Sequence, residues 1–265
     1  MKHVADYVNP FLKRFEEVQA RHEAELAKCN LSCRVTVPSE TLKSEEPEIL
    51  KTAIEDIRFS HKGSCAGVEA AVAEIEKRLR YLKNTRMAAY LKAQGFSERD
   101  IRAVLFSPLN TLYPAWQAVD KYMRGGYEGR SYGTGDCLIL AGPPDAGKTF
   151  AAVWGAAQIR KGQRYIFCSD ISPKLRHEQG FLEWMSKAPF LVLDDYNGAG
   201  SDPHFNEALK TVFHHRHAGK LATIVTTNKN MEDFKASLPE VILSRLSKRR
   251  GGWGVFVEVA GKGGE

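Results

Sequence analysis

No stretch of about 18 consecutive apolar residues, the length that a membrane-spanning helix needs, occurs anywhere in the chain. The first residues, Met1-Lys-His-Val-Ala-Asp6, put no apolar run behind the basic ones. Neither membrane insertion nor a secretory leader is therefore expected. Cysteine is scarce, at five in 265 residues. The number is odd, and Cys137 and Cys168 fall in apolar stretches that read as buried strands. A disulfide framework is not expected, and a reducing, cytoplasmic compartment is. Internal repeats and low-complexity tracts are missing, and a globular protein rather than a tail or a linker is expected. Neither charge sign dominates: 38 Lys and Arg stand against 32 Asp and Glu, a net +6 mixed along the chain. That balance accommodates a polyanionic partner without establishing nucleic-acid binding.

The chain does have enough apolar residues, 43%, for a packed core, and length for one large or two modest domains. Phe11, Phe15, Val18 and Leu26 recur at helical spacing between Pro10 and Cys29. A second helix starts near Ser44, with Pro47 in its first turn, and carries Leu50, Ile54 and Ile57. The third runs over residues 66–93, with Val68, Val72, Ile75, Leu79 and Leu82 along one face. That stripe fits packing within a small helical domain or a docking face for another protein. Past residue 105, short apolar runs alternate with helical stretches, the pattern of a parallel sheet with crossover helices. Five strands are expected, over 136–141, 165–169, 190–194, 221–226 and 254–259, with a Gly-rich linker at 125–135 before the first. The reading is a helical region over 1–104 and an α/β domain over 105–265.

Gly142, Gly147, Lys148 and Thr149 match G-x-x-x-x-G-K-[ST] between an apolar strand and the helix that Phe150 continues. The loop formed by Gly142, Pro143, Pro144, Asp145, Ala146, Gly147, Lys148, Thr149 and Phe150 is thus expected to cradle ATP phosphates with its backbone N–H groups. Lys148 would reach the terminal phosphates, and Thr149 would bind Mg2+. Asp145 stands where a small residue in a left-handed turn is usual; Asp tolerates that conformation and adds a negative charge near the phosphates. Phe190-Leu-Val-Leu-Asp-Asp195 delivers two carboxylates at the C-terminal end of a strand, where ligands bind in open α/β sheets. Asp194 is expected in the magnesium shell and Asp195 beside the attacking water. Asn228, with Thr227, ends another strand beside the same site. Arg245 lies on a short helix, where an arginine finger supplied across a subunit interface is its attractive role.

These elements, in this order, resemble the AAA+ ATPases of the DnaC/DnaI helicase-loader and IstB transposition-helper group. The resemblance covers about residues 105–260. It rests on Gly142 to Thr149, on Leu193-Asp-Asp195, on Arg216-His-Ala-Gly-Lys-Leu-Ala-Thr-Ile-Val-Thr-Thr-Asn228, and on Ser244-Arg245-Leu246. It implies a three-layer P-loop AAA+ domain on a five-stranded parallel sheet. It also implies an ATPase that forms homo-oligomers, binds single- or double-stranded DNA, and acts on a replicative helicase or, in the alternative, assists a transposase. By position Asn228 is then the first sensor and Arg245 the finger, with Lys148 and Asp195 completing the catalytic set. In loaders the N-terminal region binds the helicase, which gives 1–104 a partner-interaction role by analogy. The sequence ends a few residues after its fifth strand, so a helical lid with its own sensor arginine is not expected.

Further signals lie outside these motifs. Cys29, Cys33, His61 and Cys65 have spacings that fit four zinc ligands or free thiols. Lys77, Arg78, Arg80, Lys83 and Arg86 on the third helix, and Lys248, Arg249 and Arg250, fit DNA phosphate contacts or solvated faces. His214, His215 and His217 face different ways on a helix, which disfavours a metal site. Two rivals of other classes remain: a P-loop kinase, which would need an acceptor pocket and a mobile lid, and a nucleotide-gated module with negligible hydrolysis.

Overall fold

The computed structural model describes residues 35–60, 66–107, 113–159, 162–198, 202–247 and 252–261. The helix expected between Pro10 and Cys29, the Cys29, Cys33, His61 and Cys65 set and the basic run Lys248, Arg249 and Arg250 lie outside the described residues. The chain divides into two compact units, Met1–Thr85 and Arg86–Glu265.

In the first unit, α1 (Ser39–Lys43) and α2 (Pro47–Ser60) precede α3 (Ala66–Ala93). Pro47 takes the first position of α2, where its missing N–H leaves no bond unmade. Leu50, Ile75 and Leu82 are buried together, with Leu79 packed against them, and Val68 and Val72 pack on Ile54 and Ile57. The stripe on α3 is therefore an inner face of the helical unit. Arg78 of the basic cluster is engaged, donating to the Ser44 carbonyl and lying over the Tyr81 ring.

The pattern change at residue 105 and the division at 85/86 do not coincide, because the residues between them pack into the second unit. Leu91, Phe96, Ile101 and Val104 share a buried cluster with the sheet. There α4 (Glu98–Phe106) and α5 (Pro114–Met123) lead to β1 (Cys137–Ala141). The chain continues through α6 (Lys148–Ala157), β2 (Gln163–Phe167), α7 (Cys168–His177), α8 (Phe181–Lys187) and β3 (Phe190–Asp194). It ends with α9 (Pro203–Ala218), β4 (Ala222–Thr227), α10 (Met231–Ser237), α11 (Glu240–Leu246) and β5 (Gly254–Glu258). The five strands are parallel, in the order β2-β3-β4-β1-β5.

The pleat sorts the apolar runs into two layers. Leu138, Leu140, Phe190, Val192 and Ile224 face α4, α5 and α6. Cys137, Ile139, Leu191, Leu193 and Val225 face α7 to α11. All residues of β1, β3 and β4 are buried, as expected for parallel strands covered on both sides. The result is the expected three-layer α/β domain on a parallel five-stranded sheet.

Two local expectations need correction. β2 begins at Gln163, two residues before the expected 165, and Cys168 opens α7 rather than lying in a strand. Gln163 is polar yet fully buried, because its amide donates to the Ala156 and Ile159 carbonyls. The stretch at 125–135 is not a free linker: Arg130 donates to the Gly254 carbonyl at 2.7 Å, and the Trp253 indole donates to the Gly135 carbonyl. Cys137 and Cys168 are buried free thiols, and no described helix is long and apolar enough to cross a membrane.

Arg216, at the C-terminal end of α9, is 0% exposed and has no carboxylate partner among its bonds. Its guanidinium donates to the Thr223 hydroxyl at 2.8 Å, to the Met185 and Ala188 carbonyls at 3.0 and 2.6 Å, and to the Ala222 carbonyl. Burial pulls its pKa down to about 10, which leaves it charged at neutral pH. It thus fastens the ends of α8 and α9 to the start of β4. Arg216→Met strands those acceptors in an apolar layer and is expected to cost about 2–4 kcal/mol of unfolding free energy. Urea unfolding followed by tryptophan fluorescence reads this directly. A loss below about 0.5 kcal/mol would mean that the guanidinium is dispensable there.

Candidate functional site

Because β4 lies between β1 and β3, the C-terminal ends of all three strands converge. The loop after β1 begins at Gly142, whose φ is 149° and whose N–H donates to the Lys229 carbonyl at 3.0 Å. A Cβ at Gly142 would lie 2.2 Å from the Val259 carbonyl oxygen, so only glycine fits against the chain leaving β5. Asp145 adopts the left-handed conformation expected of it, at φ 58°, and is exposed. Gly147, at φ 77°, caps α6, so the free N–H groups of Lys148, Thr149 and Phe150 point into the loop.

Lys148 is 6% exposed. Its ammonium donates to the Gly142 and Pro143 carbonyls at 2.9 and 2.5 Å. Burial lowers its pKa, against the opposing pull of Asp194, Asp195 and Asp145. The loop's own carbonyls thus hold the lysine.

Asp194 ends β3 and is 1% exposed. Thr149 donates to its two oxygens at 2.9 and 3.1 Å, Tyr165 donates to Oδ2 at 2.6 Å, and Thr226 donates to Oδ1. Burial, with the Asp194 charge second, raises the Tyr165 phenol far above its ordinary pKa, so it remains a donor. Burial likewise raises the Cys168 thiol, helped by Asp194 and Asp195, and keeps it an unreactive neighbour. Asp195 is exposed and left-handed, at φ 56°. Its N–H donates to the Thr226 hydroxyl at 3.0 Å, and its carboxylate accepts from the Asn228 amide at 2.8 Å.

The structure thus brings together Lys148, Thr149, Asp194, Asp195 and Asn228. Thr227 falls on the opposite side of β4, fully buried, where its hydroxyl accepts from the Lys229 N–H. Thr226 is the residue of β4 that stands beside the carboxylates. Thr226 and Tyr165 were both missed, and strand parity carries the signal for each. Phe190, Val192 and Asp194 share one face of β3, and Ala222, Ile224 and Thr226 share that face of β4.

Thr149 and Asp194 supply hard oxygen donors in mutual contact, which suits Mg2+, an ion that takes one or two carboxylates together with substrate phosphates and water. Among the described residues no three or more His, Cys, Asp and Glu side chains gather into a metal cage.

No protein-family model and no curated protein matches the chain. Among solved structures it is similar to the DnaC helicase loader, at 22% identity and a TM-score of 0.48, over 62% of this chain and 99% of that one. It is similar to DnaI at 22% identity and a TM-score of 0.48, over 63% and 92%. A third likeness is to the replication initiator DnaA bound to AMPPCP and single-stranded DNA, at 15% identity and a TM-score of 0.43, over 55% and 45%. These are likenesses of fold.

Arg245 lies away from this cluster. Its guanidinium donates to His214 Nδ1 at 3.0 Å and to the Val241 carbonyl at 3.5 Å. Its own carbonyl accepts from the Trp253 N–H, and the Trp253 carbonyl accepts from the N–H of Cys137, the first residue of β1. Arg245 therefore sits at the N-terminal edge of the sheet, and the phosphate loop sits at the C-terminal edge.

The close approach at Gly142 leads to a comparison with Gly129, which also has a positive φ, 81°, but has open space around its Cβ position. Gly129→Ala is expected to cost about 1 kcal/mol from backbone strain alone. Gly142→Ala must also displace the Val259 backbone; a loss above about 2 kcal/mol is expected, with loss of fluorescent-ATP binding. Equal effects of the two variants in urea unfolding and nucleotide titration would discount the close approach.

Proposed function

We propose that the chain is an ATP-binding and ATP-hydrolysing AAA+ protein that assembles on DNA and serves as a replicative helicase loader. The observation that carries the ATPase reading is the Asn228 amide 2.8 Å from Asp195, beside an Asp194 carboxylate that touches Thr149. The loader role rests on the sequence resemblance; assistance to a transposase is the alternative within the same group.

The chemistry follows from the positions of the side chains. Backbone N–H groups at the start of α6 receive the β- and γ-phosphates. Lys148 exchanges the Gly142 and Pro143 carbonyls for phosphate oxygens, trading neutral acceptors for charged ones. Thr149 and Asp194 would hold Mg2+, which would neutralise charge on the phosphates. Asp195, exposed and oriented by Asn228, aligns the water that attacks the γ-phosphorus and accepts its proton, while the bond to the ADP oxygen breaks. Arg245 serves the site of a neighbouring copy.

The test is ATP hydrolysis by wild type, Lys148→Ala and Arg245→Ala, with and without single- and double-stranded DNA, over a range of protein concentrations. Wild-type activity should rise with both DNA and concentration. Lys148→Ala should be inactive, and Arg245→Ala should be slower by about 10³-fold. Mixing the two variants should restore part of the rate. A rate per protomer independent of DNA and concentration, with Arg245→Ala as active as wild type, would remove the shared-site model. Wild-type turnover equal to that of Lys148→Ala would leave a nucleotide-gated binding module.

A further inference from the structure

The ATPase chemistry uses Thr149, Asp194, Asp195 and Asn228 but gives no task to Tyr165, whose hydroxyl touches the same buried carboxylate. We propose that Tyr165 is a positioning residue for the Mg2+ site, fixing the direction in which Asp194 presents its oxygens to the metal. The inference rests on the reading that Thr149 and Asp194 receive Mg2+ together with ATP.

Asp194 has donors on both oxygens, Thr226 on Oδ1 and Tyr165 on Oδ2, while Thr149 donates to each. Once the Thr149 hydroxyl turns its oxygen to a metal, it no longer holds the carboxylate. Thr226 and Tyr165 remain, one from each strand flanking β3. Two donors on opposite oxygens define the carboxylate plane; one alone leaves it free to rotate about the bond to Cβ.

Tyr165 is itself held in place. It is 2% exposed, its ring lies 5.0 Å from that of Phe96 and 5.1 Å from that of Phe167, and its N–H donates to the Gln94 carbonyl at 3.2 Å. Gly95, at φ 94°, lets the turn approach so closely that a Cβ there would lie 2.7 Å from the Tyr165 carbonyl oxygen. The Arg164 guanidinium also donates to the Gln94 side chain. β2 is an outer strand, and this turn, not a sixth strand, fastens its open side. A hydroxyl on so constrained a ring can fix a ligand; one on a mobile surface side chain could not.

The test compares full-length wild type, Tyr165→Phe and Lys148→Ala. A fluorescent ATP analogue is titrated first without metal, then at fixed nucleotide with increasing Mn2+, whose binding is also read by electron paramagnetic resonance. Phe keeps the ring contacts and removes only the hydroxyl. Tyr165→Phe is expected to bind metal-free nucleotide as wild type does and to need about 10–100-fold more Mn2+ to reach the same occupancy. Unchanged metal dependence overturns the proposal. So does a parallel loss of metal-free binding and thermal stability, which would make the hydroxyl a packing element. If wild type binds the analogue no better than Lys148→Ala, the ATP reading itself has failed, and the inference falls with it.

Discussion

A carboxylate that is 1% exposed is tolerable at a strand end only if protein donors replace the water it has lost. Asp194 meets that requirement with three hydroxyls from three elements, Thr149 of α6, Tyr165 of β2 and Thr226 of β4. The strand order serves the same need: β3 has a donor-bearing strand on each side, and the helix that opens after the phosphate loop covers the face toward which Asp194 points. On the proposed reading, the residues that hold the charge would also position it for a cation, so that packing and binding would be met by one arrangement.

Lys148, also buried, is not bonded to Asp194. A direct pair would neutralise both groups and would have to break before phosphate and metal could enter. With carbonyls as its partners, the lysine can turn to phosphate without breaking any bond to Asp194. The neighbouring carboxylate differs because its backbone does. At φ 56°, Asp195 leaves the strand alternation, so its side chain emerges into solvent beside Asn228. Thr226 links the two acids, donating to one and accepting from the N–H of the other, and so fixes the angle between them.

The phosphate loop and the acidic pair were legible because their chemistry is contiguous, with all the identities needed falling within a few residues. The five strands were legible from apolar runs, and the α3 stripe from its spacing. Tyr165 was not. Gln163 and Arg164 fall before the expected strand, since nothing local announces that Gln163 will be buried against carbonyls of the α6 end and its following turn. Starting the strand at 165 then hid the register that sets Phe167 beside Asp194 and Tyr165 one pleat below it on the active face. Thr227, named with Asn228 at the strand end, and Thr226 beside the carboxylates differ by one residue, which in a strand exchanges the two sheet faces. Arg216 entered as part of a motif phrase. Its role as a buried clamp depends on the Met185 and Ala188 carbonyls, about 30 residues away in the chain, and no spacing rule identifies such partners.

Arg245 is the residue whose role depends most on geometry that the sequence does not display. Its main chain is tied through Trp253 to the first residue of β1, and the phosphate loop follows the last. From Cys137 to Ala141 the rise of a parallel strand separates those ends by about 13 Å, farther than an arginine side chain can span. Ile242 and Leu246, both fully buried, hold α11 against the sheet, so the helix cannot carry the guanidinium round to the other edge. On the proposed reading, a nucleotide phosphate that Arg245 touches would belong to another copy of the chain. The Arg245 guanidinium meanwhile contacts His214 Nδ1, and among the described residues no ion pair to a carboxylate holds it. The same separation that denies Arg245 its own site is what would make hydrolysis depend on assembly.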